Sequence, residues 1–232
     1  MSYTLITANR NYSSWSLRPW LLMKALGIPF EERLEPFAAT SNYEAFRAFS
    51  PVGQVPVLLD DAKDEQRTIY DSLAITLYLA DRHDGIWSSG EAARAWSQTA
   101  VAEMHAGFSA LRNDCPMNVG VRAKLKAMSA GLTKDVARLG ELWGEGLSHF
   151  GGPWLAGEAF TAADAFFAPV AYRVRTYDLD VGAAGRAWVD HIIAHASMQD
   201  WEAQALAESW REIGHEEELA ACGEVIEDFR TG

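Results

Sequence analysis

The stretch Ser50-Pro51-Val52-Gly53-Gln54-Val55-Pro56-Val57-Leu58-Leu59-Asp60 decides the fold of this chain. Ser50 to Gln54 is loop sequence, and Val55 to Asp60 reads as an apolar strand. Proline lacks the N–H a ladder needs, so Pro56 belongs at the start or edge of that strand. Only about 5–6% of X–Pro bonds are cis, so the residues alone favour a trans Val55–Pro56 bond. A cis bond would turn the chain sharply and present the Val55 backbone to a ligand.

Arg67 to Tyr70 reads as the next strand, beyond a polar turn at Asp60–Asp64. Ser72 to Arg82 then reads as a helix with Leu73, Ile75, Leu77 and Leu79 apolar. Upstream, Tyr3–Thr7 is β-prone. Ser16 to Leu26 has helical spacing, with Leu17, Trp20, Leu21 and Met23 apolar and Gly27 as a stop. Phe30 to Pro36 supplies a second strand. The order β-α-β, connector, β-β, α predicts a mixed sheet with helical cover.

Past Arg82 the pattern changes. His83–Gly90 reads as a linker, and no strand is expected beyond it. Helices are expected over Glu91–Asn113, Val121–His149, Thr161–Tyr177, Ala184–Ala196 and Met198–Arg211. The fold class is therefore α/β plus all-α: a domain over 1–82, a linker over 83–90 and an all-helical domain over 91–232. A length of 232 residues fits two small domains.

Hydrophobic residues make up 49% of the chain and charged residues 22%, enough apolar surface to bury a core and exclude wholesale disorder. The net charge is −12, which argues against nucleic acid and anionic membranes as partners. Most of that charge lies from Asp200 onward, with 10 acidic and 2 basic residues. Glu216-Glu217-Glu218 reads as a solvated face or mobile tail. Cys115 and Cys222 support neither a disulfide framework nor a zinc site, and fit the reducing cytoplasm. The start, MSYTLITANR, carries no targeting pattern, and no apolar run suggests a membrane helix.

Two further stretches bear on chemistry. Asp71-Ser72 opens a helix, whose free N–H groups and partial positive charge favour an anion such as an α-carboxylate. Asp71 can hold an ammonium, so the pair suits an amino-acid head; a simple cap is the plainer reading. The loop Asn9-Arg10-Asn11-Tyr12-Ser13-Ser14-Trp15-Ser16 follows the first strand, where α/β folds place their sites. Ser13, Ser14 and Ser16 are donors there, or caps. His191 and His195 share a helix face but lack the adjacent glutamate and a third ligand, so no metal is expected. Cys115 reads as a small buried hydrophobe, and the nine tryptophans as dispersed core.

The chain as a whole resembles the soluble glutathione transferase family, with a thioredoxin-like first domain. The resemblance is carried by Ser13-Ser14-Trp15-Ser16-Leu17-Arg18, by Ser50 to Leu58, by Asp71-Ser72-Leu73-Ala74-Ile75, and by the capping box Phe160-Thr161-Ala162-Ala163-Asp164. It implies that glutathione lies across the first domain. Its γ-glutamyl head would meet Asp71 and Ser72. Its cysteinyl backbone would pair with Val55 before a cis Pro56, with Gln54 within reach. Thr40, Ser41 and Asn42 are candidates for the glycyl carboxylate. The serine loop looks serine-type and zeta-like, which makes Ser13 the donor to the glutathione thiolate and Ser14 the alternative. Arg18 would be structural or add positive potential.

Where the zeta-like pattern has cysteine this chain has Trp15, which counts against thiol–disulfide exchange. The electrophile would bind between the domains, against Trp15, Met104, His105, Phe108 and Arg112. His105 and Arg112 could orient an anionic or electrophilic substrate. The implied activity is conjugation of glutathione to a small electrophile, with a detoxification role and a homodimeric assembly. The alternatives are an isomerase of the maleylacetoacetate type and a non-enzymatic binding or regulatory protein.

Overall fold

The computed structural model describes residues 2–38, 41–62 and 65–231. The first domain is a four-stranded sheet of order β2-β1-β3-β4, built from β1 (Tyr3–Thr7), β2 (Glu31–Leu34), β3 (Val57–Ala62) and β4 (Glu65–Ile69). β1 runs parallel to β2 and antiparallel to β3, and β3 antiparallel to β4. Helices α1 (Ser14–Ala25), α2 (Tyr43–Arg47) and α3 (Ser72–Ala80) complete it. Leu5, Leu17, Leu21, Leu58, Ile75 and Leu79 are fully buried, so the apolar spacing seen in the sequence faces one core. β3 begins at Val57, opposite Ile6, which leaves Val55 outside the ladder. The Val55–Pro56 bond is cis.

The second domain holds α4 (Glu91–Ala106), α5 (Ser109–Asp114), α6 (Ala130–Phe150), α7 (Ala162–Tyr177), α8 (Gly182–Ile193), α9 (Ala196–Ala207) and α10 (Ile213–Cys222). It also holds one two-stranded antiparallel sheet, β5 (Val121–Leu125) with β6 (Gly223–Asp228). α7 lies at its centre, buried almost throughout, and packs against α1, which joins the two domains. Asp164 is fully buried at its start. It accepts from the backbone N–H of Leu155 and Thr161, both at 2.9 Å, and from Trp188 Nε1 at 3.1 Å.

Three expectations change here. The helix over Glu91–Asn113 is broken at Gly107-Phe108, where Phe108 takes φ 55°. Arg112 folds back and donates to the carbonyls of Met104, His105 and Gly107, satisfying acceptors that the end of α4 would leave open. The helix expected over Val121–His149 is instead β5 followed by α6, which starts where Ser129 Oγ accepts from Leu132 N at 3.0 Å. The partner of β5 lies about a hundred residues downstream, beyond the reach of local periodicity. Finally, Glu216-Glu217-Glu218 is no mobile tail. It belongs to α10, with Glu216 half-buried and Glu217 and Glu218 exposed.

Candidate functional site

The serine loop leaves β1 and turns tightly into α1. Asn9 O accepts from the N–H groups of Tyr12 (3.2 Å) and Ser13 (2.8 Å), and Tyr12 O from Ser14 N (2.9 Å). Ser13 occupies the N-cap position of α1 without capping it. Its hydroxyl donates to Ser16 Oγ at 2.7 Å, and Ser16 Oγ also accepts from Ala8 N at 3.2 Å. Ser16 is thus a structural bracket between strand and helix. Ser13 stands at the positive end of α1, with its hydroxyl hydrogen on a neutral acceptor that a thiolate could replace.

The loop is held from the second domain. Glu208, nearly buried, accepts from the N–H groups of Arg10 (2.7 Å) and Asn11 (3.3 Å). Asn11 Nδ2 donates to Ala205 O at 2.6 Å, and Asn11 Oδ1 accepts from Gly120 N at 3.1 Å. A side chain at Gly120 would run into Arg230. The Arg230 guanidinium in turn binds Glu216 and Asp228.

Ser13, Ser14, Trp15, Gln54, Val55, Pro56, Asp71, His105 and Arg112 line one cavity of about 770 Å³. Gly53, next to Gln54, has φ +66°, and a side chain there would strike Tyr43, so only glycine suits this turn. Asp71 caps α3, with its Oδ1 accepting from Leu73 N at 2.9 Å and Ala74 N at 3.4 Å. Its Oδ2 lies 3.2 Å from His105 Nε2, which joins the two domains across the cavity. Burial holds the His105 imidazole below its usual range, against the pull of Asp71. Ser72 is fully buried beneath, and its hydroxyl makes no hydrogen bond among the described residues.

Met104 and Phe108 do not line the cavity. Met104 faces the core from within α4, and Phe108, at the break that follows, packs edge-on against Phe167. Arg18 is 1% exposed and stacks on Trp15. Asn42 lines the cavity and its Oδ1 accepts from Ala38 N; Ser41 Oγ accepts from Tyr43 N. Thr40 lies outside the described residues.

The cavity also takes in residues that sequence reasoning missed. Tyr12 and Phe37 line it, and the His215 ring stacks on both at 5.0 and 5.3 Å. Glu218 comes from the same α10. Arg173 arrives from α7, which also carries Arg175, and only the fold shows that Arg173 is the one at the cavity. Burial lowers its guanidinium to about 10. Among the described residues no group of three or more His, Cys, Asp or Glu side chains could hold a metal ion. Cys115 and Cys222 are both free, and burial pushes the Cys115 thiol up to about 12.

Comparison with known proteins follows the same division of the chain. The family model described as "Glutathione S-transferase, N-terminal domain" matches residues 12–82, and "Glutathione S-transferase, C-terminal domain" matches residues 102–196. A search of curated protein sequences gives no match. Solved structures share the fold at low identity. A glutathione transferase homolog from Burkholderia gl BGR1, with bound glutathione, is 18% identical over 88% of this chain and 98% of its own, with a TM-score of 0.64. The glutathione transferase Omega 3C from Trametes versicolor is 16% identical over 91% of both chains, TM-score 0.64. A maleylacetoacetate isomerase from Anaeromyxobacter dehalogenans 2CP-1, with glutathione in its active site, is 22% identical over 86% and 94%, TM-score 0.62. With both domain models matched in order along a chain of this fold, the protein belongs to the soluble glutathione S-transferase family.

Proposed function

We propose that the chain binds glutathione across its first domain, stabilises the thiolate through Ser13 and transfers it to an electrophilic carbon of a small molecule. The observation that carries this reading is convergence. Ser13, the Val55-Pro56 turn and the Asp71 end of α3 line one cavity, which also reaches Arg112 of the second domain. The peptide's cysteinyl backbone would pair with Val55, which lies outside the β3 ladder, with Gln54 alongside. Its α-carboxylate would meet the start of α3, and its ammonium Asp71. The neighbours with bound glutathione support glutathione as the ligand.

A free thiol has a pKa near 8.5, and each unit of lowering needs about 1.36 kcal/mol of preferential thiolate stabilisation. A hydrogen bond from Ser13 and the positive end of α1 supply about that much or more. Ser14 is the alternative donor. The sulfur–carbon bond forms as the leaving group departs with its electron pair, or as the neighbouring carbon of a polarised double bond takes up a proton. Trp15 contributes an indole wall and no thiol, which disfavours thiol–disulfide exchange. Isomerisation through a transient glutathione adduct would use the same thiolate. Two free cysteines fit the cytoplasm, and a homodimer is the assembly we expect.

The test is calorimetric titration with glutathione, then conjugation, isomerisation and peroxidase assays, on the wild type and Ser13→Ala. The variant should bind glutathione within about threefold of the wild type and turn over about tenfold or more slowly. Undiminished turnover transfers the role to Ser14. Tight glutathione binding by the wild type with no turnover of any kind makes the chain a binding module instead.

A further inference from the structure

We infer that the second-domain wall of the cavity is built to hold a carboxylate, so that the electrophile is a small molecule carrying an anionic group. This rests on the transferase reading and names its substrate class. Three guanidiniums gather at this wall. Arg112 of α5 and Arg173 of α7 line the cavity. Arg18 of α1 lies behind it, 4.1 Å from the centre of the Trp15 ring and 4.8 Å from that of Phe166. Arg112 reaches the same indole at 5.2 Å. One aromatic plate of the wall is thus shared by two cations.

The hydrogen-bond partners of these groups are neutral. Arg173 donates from Nε to Cys115 O at 2.7 Å and from Nη1 to Pro169 O at 3.3 Å. Among the described residues Arg112 donates only to the carbonyls of Met104, His105 and Gly107. Nε and Nη1 of Arg18 are buried and bond to nothing among the described residues. Carbonyls satisfy N–H groups but leave the charge uncompensated, and a buried charge without a counter-ion is costly. Burial and mutual repulsion accordingly hold Arg18 below its usual range.

Two carboxylates act on the group from a distance, Asp71 on Arg18 and Asp135 on Arg112. Both are engaged elsewhere: Asp71 with His105 and the start of α3, Asp135 with Leu111 N at 3.0 Å. Glu218, the other carboxylate lining the cavity, sits on α10 beside the His215 that stacks on Tyr12 and Phe37. An incoming anion is therefore drawn to Arg112 and Arg173. Glutathione does not supply it. In the proposed placement its γ-glutamyl carboxylate meets the start of α3, and Asn42 and Ser41 are the candidates for its glycyl carboxylate.

The test titrates the full chain with S-methylglutathione, S-(2-carboxyethyl)glutathione and the primary amide of the latter, which keeps the shape and removes the charge. The acid should bind the wild type about tenfold or more tightly than the amide. Arg112→Gln should cut that ratio to within about threefold and leave S-methylglutathione within the same margin. Arg112→Lys should retain part of the preference. Equal affinity for acid and amide in the wild type overturns the inference, a comparison that needs no variant to fold. An equal loss for S-methylglutathione in Arg112→Gln also overturns it, by assigning the arginine to glutathione itself. Failure of all three ligands to bind the wild type sinks the glutathione reading and this inference together. Binding of S-methylglutathione without acid preference sinks the inference alone.

Discussion

The Tyr12 hydroxyl donates a 2.6 Å hydrogen bond to Glu216 Oε1, tying the loop that carries Ser13 to a helix 204 residues later. Asn118 Nδ2 reaches the same oxygen at 3.1 Å, and Arg230 binds both Glu216 oxygens. The acidic C-terminal segment is therefore a clamp on the serine loop, and its ring at His215 closes one side of the cavity.

Tyr12→Phe removes a hydrogen bond to a carboxylate and should cost about 1–3 kcal/mol of stability. Hydrogen exchange should speed up in α10 and β6 before it does in α7. Unchanged exchange over α10 would mean that Arg230 and Asn118 hold the clamp without Tyr12.

Acid should release the same clamp. Burial pushes the Glu216 carboxyl up, but hydrogen bonds from Arg230 and Tyr12 outweigh it and hold the group below the usual range. Its folded pKa therefore lies below its unfolded one. The stabilisation is complete above the ordinary carboxylate value, about pH 4.3, and is lost as pH falls through the folded value. Denaturation midpoints of Glu216→Gln should fall less steeply with acid than those of the wild type.

His105 gives a second pH signature, in a higher range. Burial lowers its pKa, so the folded protein holds fewer protons than the unfolded chain just below about pH 6.5. Stability contributed by this group is present above that value and is lost as pH falls through the folded pKa. His105→Gln should flatten the stability profile between about pH 5 and 7. A profile identical to the wild type would exclude His105 as its source.

Ser16→Ala tests the bracket beneath Ser13. It leaves Ala8 N without its acceptor, at a cost of about 1–3 kcal/mol. It also removes the partner that Ser13 must release to meet a thiolate. The pKa of bound glutathione, read from ultraviolet thiolate absorbance, should fall or stay level in this variant, whereas Ser13→Ala should raise it. A rise in Ser16→Ala would assign the thiolate contact to Ser16.

Asp164→Ala should be a folding lesion. The buried carboxylate collects Leu155 N, Thr161 N and Trp188 Nε1, and its loss orphans all three, at about 3 kcal/mol or more. Chemical denaturation should show that loss, while the folded fraction keeps its affinity for glutathione.

The parts legible in the sequence are those whose physics is local. The Ser50–Asp60 stretch announces its strand through a proline that must sit at an edge, and Thr161 with Asp164 announces α7 through a capping box of four residues. Ser13, Val55 and Asp71 could be singled out because each lies at a strand end, a proline turn or a helix start. The rest depends on partners far away along the chain. β5 reads as helix until β6 pairs with it across about a hundred residues. Met104, Phe108 and Arg112 keep helical spacing, yet Met104 faces the core from α4 and the chain breaks at Phe108, so only the arginine lines the cavity. Glu216 looks like one more solvated charge until Tyr12, Asn118 and Arg230 converge on it. Charge and period belong to neighbours in sequence, whereas burial and counter-ions belong to neighbours in space, and the latter placed three arginines and the C-terminal clamp around the serine loop.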